Sequence, residues 1–109
     1  MNRELLQQVR ETLPPALNAG ILMADRGTCI LGWMLLMAGF HPITIYNSTV
    51  AVIDPTVGGP AVDVVARAYG LEPAQVRELG EINDSTEPAK RTEAVRAELD
   101  AIINGERDG

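Results

Sequence analysis

The chain contains a single cysteine, Cys29, so no disulfide can close within it, and a reducing compartment is the expected setting. It also lacks a charged N-terminal stretch followed by an apolar signal core, which makes the cytoplasm the expected location. Long apolar runs are missing as well. The longest, Cys29 to Phe40, is 12 residues, short of the roughly 20 needed to cross a bilayer as a helix. One histidine and one cysteine, separated by an apolar segment, give no zinc spacing, and the scattered carboxylates give no calcium loop. No metal or cofactor is therefore expected.

What is present is enough for one core. At 109 residues, with 46% apolar and 22% charged residues, the chain is expected to form a single domain over residues 1–105, with 106–109 as a frayed tail. It should fold alone or as a homo-oligomer. The net charge of −6 is uneven: residues 1–71 hold 5 acids and 4 bases, and residues 72–109 hold 10 acids and 5 bases. Such an acidic half repels phosphate and can attract a basic surface. The bases are 8 Arg and 1 Lys in an Ala- and Gly-rich chain, a composition typical of GC-rich bacterial or phage coding.

Apolar periodicity organises the chain. Leu5, Leu6, Val9 and Leu13 lie at helical spacing, predicting a helix from Asn2 to Leu13 that Pro14-Pro15 stops. Ala16 to Met23 reads as a short irregular helix weakened by Gly20. Asp25-Arg26-Gly27-Thr28 supplies capping and turn residues before Cys29 to Ala38, which is apolar on every side and stops at Gly39. That pattern predicts a buried central helix with Trp33 as core anchor. Ile43–Tyr46 and Val50–Ile53, separated by Asn47-Ser48-Thr49, predict a β-hairpin over about 43–53, and a Gly- and Pro-rich loop follows at 54–60.

The second half continues as helices. Val62, Val65, Ala66 and Tyr69 share a face that ends at Gly70; Pro73 opens another helix with Val76, Leu79 and Ile82 inward. After the cap-rich break Asn83 to Pro88, a final helix turns Val95, Leu99, Ile102 and Ile103 inward and sets Arg96 against Asp100. The expected fold class is mainly α: about five helices around a buried central helix (29–38), with one short β-hairpin.

Cys29-Ile30-Leu31-Gly32-Trp33 followed by Ala38-Gly39 resembles the Cys-x-x-Gly-Trp/His…Ala-Gly motif of a loose group of small bacterial and phage helical proteins. Val64 to Pro73 matches the group's next helix, which ends in Gly-Leu, so the resemblance spans about residues 28–83. Leu79-Gly80 departs from it, the group usually having Leu-Phe there, and the Cys-Gly-Thr-x-x-Cys doublet of some members is missing. The resemblance implies an order of elements and a bacterial or phage origin, and it supplies no catalytic residue.

Three functional readings compete. A thiol enzyme would use Cys29 as nucleophile, His41 as base and Asp25 or Asp54 as orienter, but an apolar helix start favours a core thiol. Residues 61–83 resemble a helix-turn-helix in which Gln75 and Arg77 would read bases. Glu72, Glu78 and Glu81 crowd the same helix, and DNA affinity rests largely on neutralising phosphates, so a DNA-binding regulator is the weaker alternative. The preferred expectation is a non-enzymatic interaction module, with no membrane partner and with nucleic acid the disfavoured partner. Its acidic C-terminal half, with Glu87, Glu93, Glu98 and Asp100 forming a solvated face on the last helix, would engage a basic protein partner. The expected partner-binding residues are Glu78, Glu81, Glu93 and Glu98. An inhibitor of a host defence complex, of the anti-CRISPR kind, is the most concrete form of this expectation.

Overall fold

The computed structural model describes residues 1–17, 23–24, 27–40 and 61–105. Among these, the architecture is mainly helical. The elements are α1 (Arg3–Glu11), β1 (Met23–Ala24), β2 (Gly27–Thr28), α2 (Ile30–Met37), α3 (Ala61–Tyr69), α4 (Pro73–Ser85) and α5 (Pro88–Ile103). The expected hairpin at 43–53, the loop at 54–60 and the tail at 106–109 lie outside the described residues.

Helix α1 begins where Asn2 can cap it: the Asn2 Oδ1 accepts the Leu5 backbone N–H at 3.1 Å. The apolar stripe is that expected, with Leu6 and Val9 fully buried and Leu13 buried just beyond the helix. The Arg3 Nε donates to the Ile103 carbonyl at 3.1 Å and the Thr92 hydroxyl to the Pro14 carbonyl at 3.1 Å, so α1 runs antiparallel to α5.

The expected helix from Ala16 to Met23 does not form at either described end. Ala16 and Leu17 are non-helical, and Met23–Ala24 pairs with Gly27–Thr28 as a two-residue antiparallel ladder. Neither Pro14 nor Pro15 has an N–H to give, and the Leu17 carbonyl bonds to Arg91 instead of to a helix, which accounts for the break.

Gly27 and Thr28 therefore belong to a strand, and the cap position of α2 falls to Cys29, which makes no side-chain cap bond. The cap arrives from α4 instead: the Ile30 N–H donates to the Oδ1 of buried Asn83 at 3.1 Å. The α2 C-terminus is a Schellman closure, with Gly39 N–H on Leu36 O and Phe40 N–H on Leu35 O, both at 3.0 Å, and Gly39 at φ 99°.

Ile30, Gly32, Met34 and Leu35 of α2 are buried, and it contacts α1, α3 and α4. Leu31, Trp33, Leu36 and Met37 remain partly exposed. Trp33 is accordingly not the core anchor; its indole N–H reaches the exposed Thr12 hydroxyl at 3.3 Å. Among the described residues Tyr69 takes that place as the largest fully buried side chain, packed with Leu6, Ile30, Met34, Leu79, Leu99 and Ile102.

Gly70 turns α3 into α4. Its φ is 66°, and a Cβ there would stand 3.1 Å from the Met1 backbone, so this turn requires glycine on two counts. The Leu71 N–H closes the end of α3 on Ala66 O at 2.9 Å. Helix α4 then runs through Asn83 to Ser85 rather than breaking at Asn83, because a buried Asn that caps another helix is satisfied within its own.

Candidate functional site

Helix α4 divides its residues cleanly. Val76, Leu79 and Asn83 are buried, whereas Arg77, Glu78, Glu81, Asp84 and Ser85 are exposed. Glu78, Glu81 and Asp84 follow one another at three-residue steps and so lie along neighbouring turns of one surface. The Asp84 Oδ1 accepts from the Asn83 side-chain amide at 3.0 Å, which ties this end of the carboxylate row to the cap of α2.

Beside the row lies a groove of about 620 Å³. Its lining includes Leu31 of α2 and Val62 of α3 as apolar surface, with Arg77, Gly80, Glu81, Asp84 and Ser85 from α4. Gly80 keeps the wall low: a Cβ there would sit 3.7 Å from the Leu31 Cδ1. An apolar floor with a charged rim resembles the anatomy of a protein interface, in which desolvated apolar groups hold and rim charges steer.

The four expected partner-binding residues do not form one surface. Glu78 and Glu81 are exposed on α4, as expected. Glu93 is exposed on α5 but its carboxylate is engaged by Arg96, one helical turn away. Glu98 is only 5% exposed, so it belongs to the interior and cannot be part of a solvated face. The expected Arg96–Asp100 pair is replaced as well: Arg96 turns to Glu93, and Asp100 takes Arg10 of α1 through Nε and, at 3.4 Å, through Nη2. A bridge between elements places Asp100 under tertiary contact, which spacing within one helix cannot foresee.

Sequence reasoning missed Asp84, which it assigned to a break, and missed the groove floor, whose residues come from two other helices. The three-residue steps from Glu78 to Asp84 were the available signal for the first.

The helix-turn-helix resemblance is present in outline, with α3 and α4 joined by Gly70, Leu71 and Glu72. Gln75 is already occupied: its Oε1 accepts the Glu72 backbone N–H at 2.9 Å and helps to close the N-terminus of α4. Arg77 is exposed, but the surface it shares with Glu78, Glu81 and Asp84 repels phosphate.

Cys29 is buried at 6% exposure, and His41, Asp25 and Asp54 lie outside the described residues. Burial pushes its thiol up, the Asp84 carboxylate adds to this, and nearby backbone N–H groups of Gly32 and Leu31 pull the other way. A thiol held protonated and enclosed is a poor nucleophile at neutral pH. Thiol reagent added to the folded protein is expected to label Cys29 slowly and to label it at once in denaturant; equal rates in both would restore the nucleophile reading. Among the described residues no three His, Cys, Asp or Glu side chains converge to hold a metal, and no helix is long and apolar enough to cross a membrane. No family model, curated protein or solved structure matches the chain.

Proposed function

We propose that the chain is a non-enzymatic protein-interaction module that meets a basic partner through the carboxylate row of α4. The observation that carries this reading is the exposed series Glu78, Glu81 and Asp84 beside a groove floored by Leu31 and Val62. Basic side chains of a partner would pair along the row while an apolar side chain enters the groove. The wider charge imbalance supports it, since residues 72–109 carry most of the net −6 and acidic fields speed encounter with basic surfaces. In this reading α2 is the helix around which the core is built, and it presents Leu31 to the groove. A bacterial or phage setting rests on the resemblance around Cys29 to Gly39, and inhibition of a host complex with a basic groove is the form of action most in keeping with so small an acidic chain.

The test is a pull-down of tagged protein from bacterial lysate, with and without nuclease, washed at rising salt. A partner retained after nuclease and released by salt is expected, with capture lost in Glu78→Lys/Glu81→Lys and preserved in Glu93→Lys, whose parent carboxylate is already engaged by Arg96. Circular dichroism of each variant confirms folding. A partner that survives the α4 reversal, or one that nuclease removes and Arg77→Ala weakens, would reject this surface and favour the helical corner as a nucleic-acid reader.

A further inference from the structure

Helix α5 closes on Asn104 and Gly105, and both are exposed. Asn104 is the C-cap, with its N–H on Asp100 O at 2.9 Å, and the Gly105 N–H donates to Ile102 O at 3.1 Å. The backbone nitrogen after an asparagine is the nucleophile nearest that residue's own amide carbon, and glycine alone presents it without a side chain crowding the approach. The surroundings do not crowd it either, for a Cβ built on Gly105 would meet nothing within 4 Å.

We propose that Asn104 is a self-modifying site, converted to isoaspartate and aspartate through a cyclic imide. The Gly105 backbone nitrogen, giving up its proton to solvent base, attacks Cγ of Asn104. A C–N bond forms, the bond from Cγ to the side-chain nitrogen breaks, and that nitrogen takes up a proton and leaves as ammonia. Water then adds to one of the two imide carbonyls. Opening at the Cα side leaves isoaspartate, with the main chain rerouted through the side chain, and opening at the other side leaves aspartate. No oxidant or reductant is needed.

The folded chain opposes this step only locally. Asn104 sits at ψ 0°, and the attacking nitrogen is engaged in its 3.1 Å bond, so the backbone must rotate and that bond must open. It is the terminal bond of a helix, and such ends open at little free-energy cost. The other described asparagines are worse placed: Asn83 is fully buried and precedes Asp84, and Asn2 precedes Arg3. Conversion puts a full negative charge where the helix end already carries partial negative charge. The adjacent Ile103 carbonyl holds Arg3 of α1, so the change falls on the tie between the two helices.

The full-length protein, folded in mildly alkaline buffer and denatured in parallel, is sampled over time and its peptides mapped by mass. The amide-to-acid mass change is expected at residue 104 ahead of Asn2 and Asn83 in the folded sample, with isoaspartate exceeding aspartate when assayed by isoaspartyl methylation. Asn104→Gln should abolish the signal at 104. Retention of the Asn104 amide in the folded chain, whatever the denatured sample does, overturns the proposal, as does a product that is aspartate alone.

Discussion

Replacing Arg91 with alanine is expected to cost about 2–4 kcal/mol of folding stability, read as a lower midpoint in urea with an unchanged slope. Arg91 is 8% exposed, and its guanidinium reaches two stretches of backbone at once: Nη1 donates to Leu17 O at 2.7 Å, and Nε and Nη2 donate to Thr86 O at 3.2 and 3.1 Å. The reason lies in the preceding sequence. Pro14 and Pro15 cannot enter a hydrogen-bond ladder as donors, so the carbonyls of this stretch must find donors on side chains, and α5 supplies them from Thr92 and Arg91. Alanine would leave the Leu17 carbonyl inside the protein without that donor. Arg91→Lys keeps the charge but loses the planar fork that spans both carbonyls, so about half the loss is expected. If Arg91→Ala unfolds within about 0.5 kcal/mol of the parent, the range of an ordinary surface substitution, the bonds to Leu17 and Thr86 are not what fixes the chain there.

Arg91 also shows where the sequence stopped being legible. The helices were readable because periodicity is local: Leu6 and Val9, Val65 and Tyr69, Val76 and Leu79, and Val95, Leu99 and Ile102 each declare a buried face within a few turns. Polar and charged residues carry no such signal. Arg91, Glu98 and Asn83 are all buried, yet each looks in sequence like a solvated helix or cap residue; for Arg91 and Asn83, what makes burial tolerable is backbone far along the chain, at Leu17 and Ile30. Asn83 caps a helix whose first residue lies 53 positions earlier. The same limit applies to the site. Glu78 and Glu81 could be read from spacing on one helix, whereas the groove beside them needs Leu31 and Val62 from two other helices. The two-residue ladder at Met23–Thr28 was missed because it is too short for alternation to appear.

Tyr69 offers the second large effect and a pH dependence with a definite sign. It is fully buried, and its hydroxyl donates to the Met34 carbonyl at 2.5 Å, joining α3 to the last turn of α2. Tyr69→Ala removes the largest fully buried side chain among the described residues and is expected to cost about 3–5 kcal/mol. Tyr69→Phe keeps the ring and should cost only about 1 kcal/mol at neutral pH, since the Met34 carbonyl still accepts the Ala38 N–H at 3.0 Å. The hydroxyl matters differently in alkali. Burial pushes the phenol well above its ordinary value of 10.0, so the unfolded chain gives up this proton first. Below pH 10 both states hold the proton and the stabilisation is complete. Above it the unfolded state binds fewer protons than the folded one, and stability must fall as pH rises, until the folded phenol itself titrates. Cys29, also raised by burial, contributes a fall of the same sign, but it does so equally in both proteins. The difference between parent and Tyr69→Phe therefore isolates the phenol: the parent should lead at neutral pH and lose that lead above pH 10. Parallel stability curves through that range would show that Tyr69 ionises as easily in the folded chain as in the unfolded one, and that its place in the core is not closed to water.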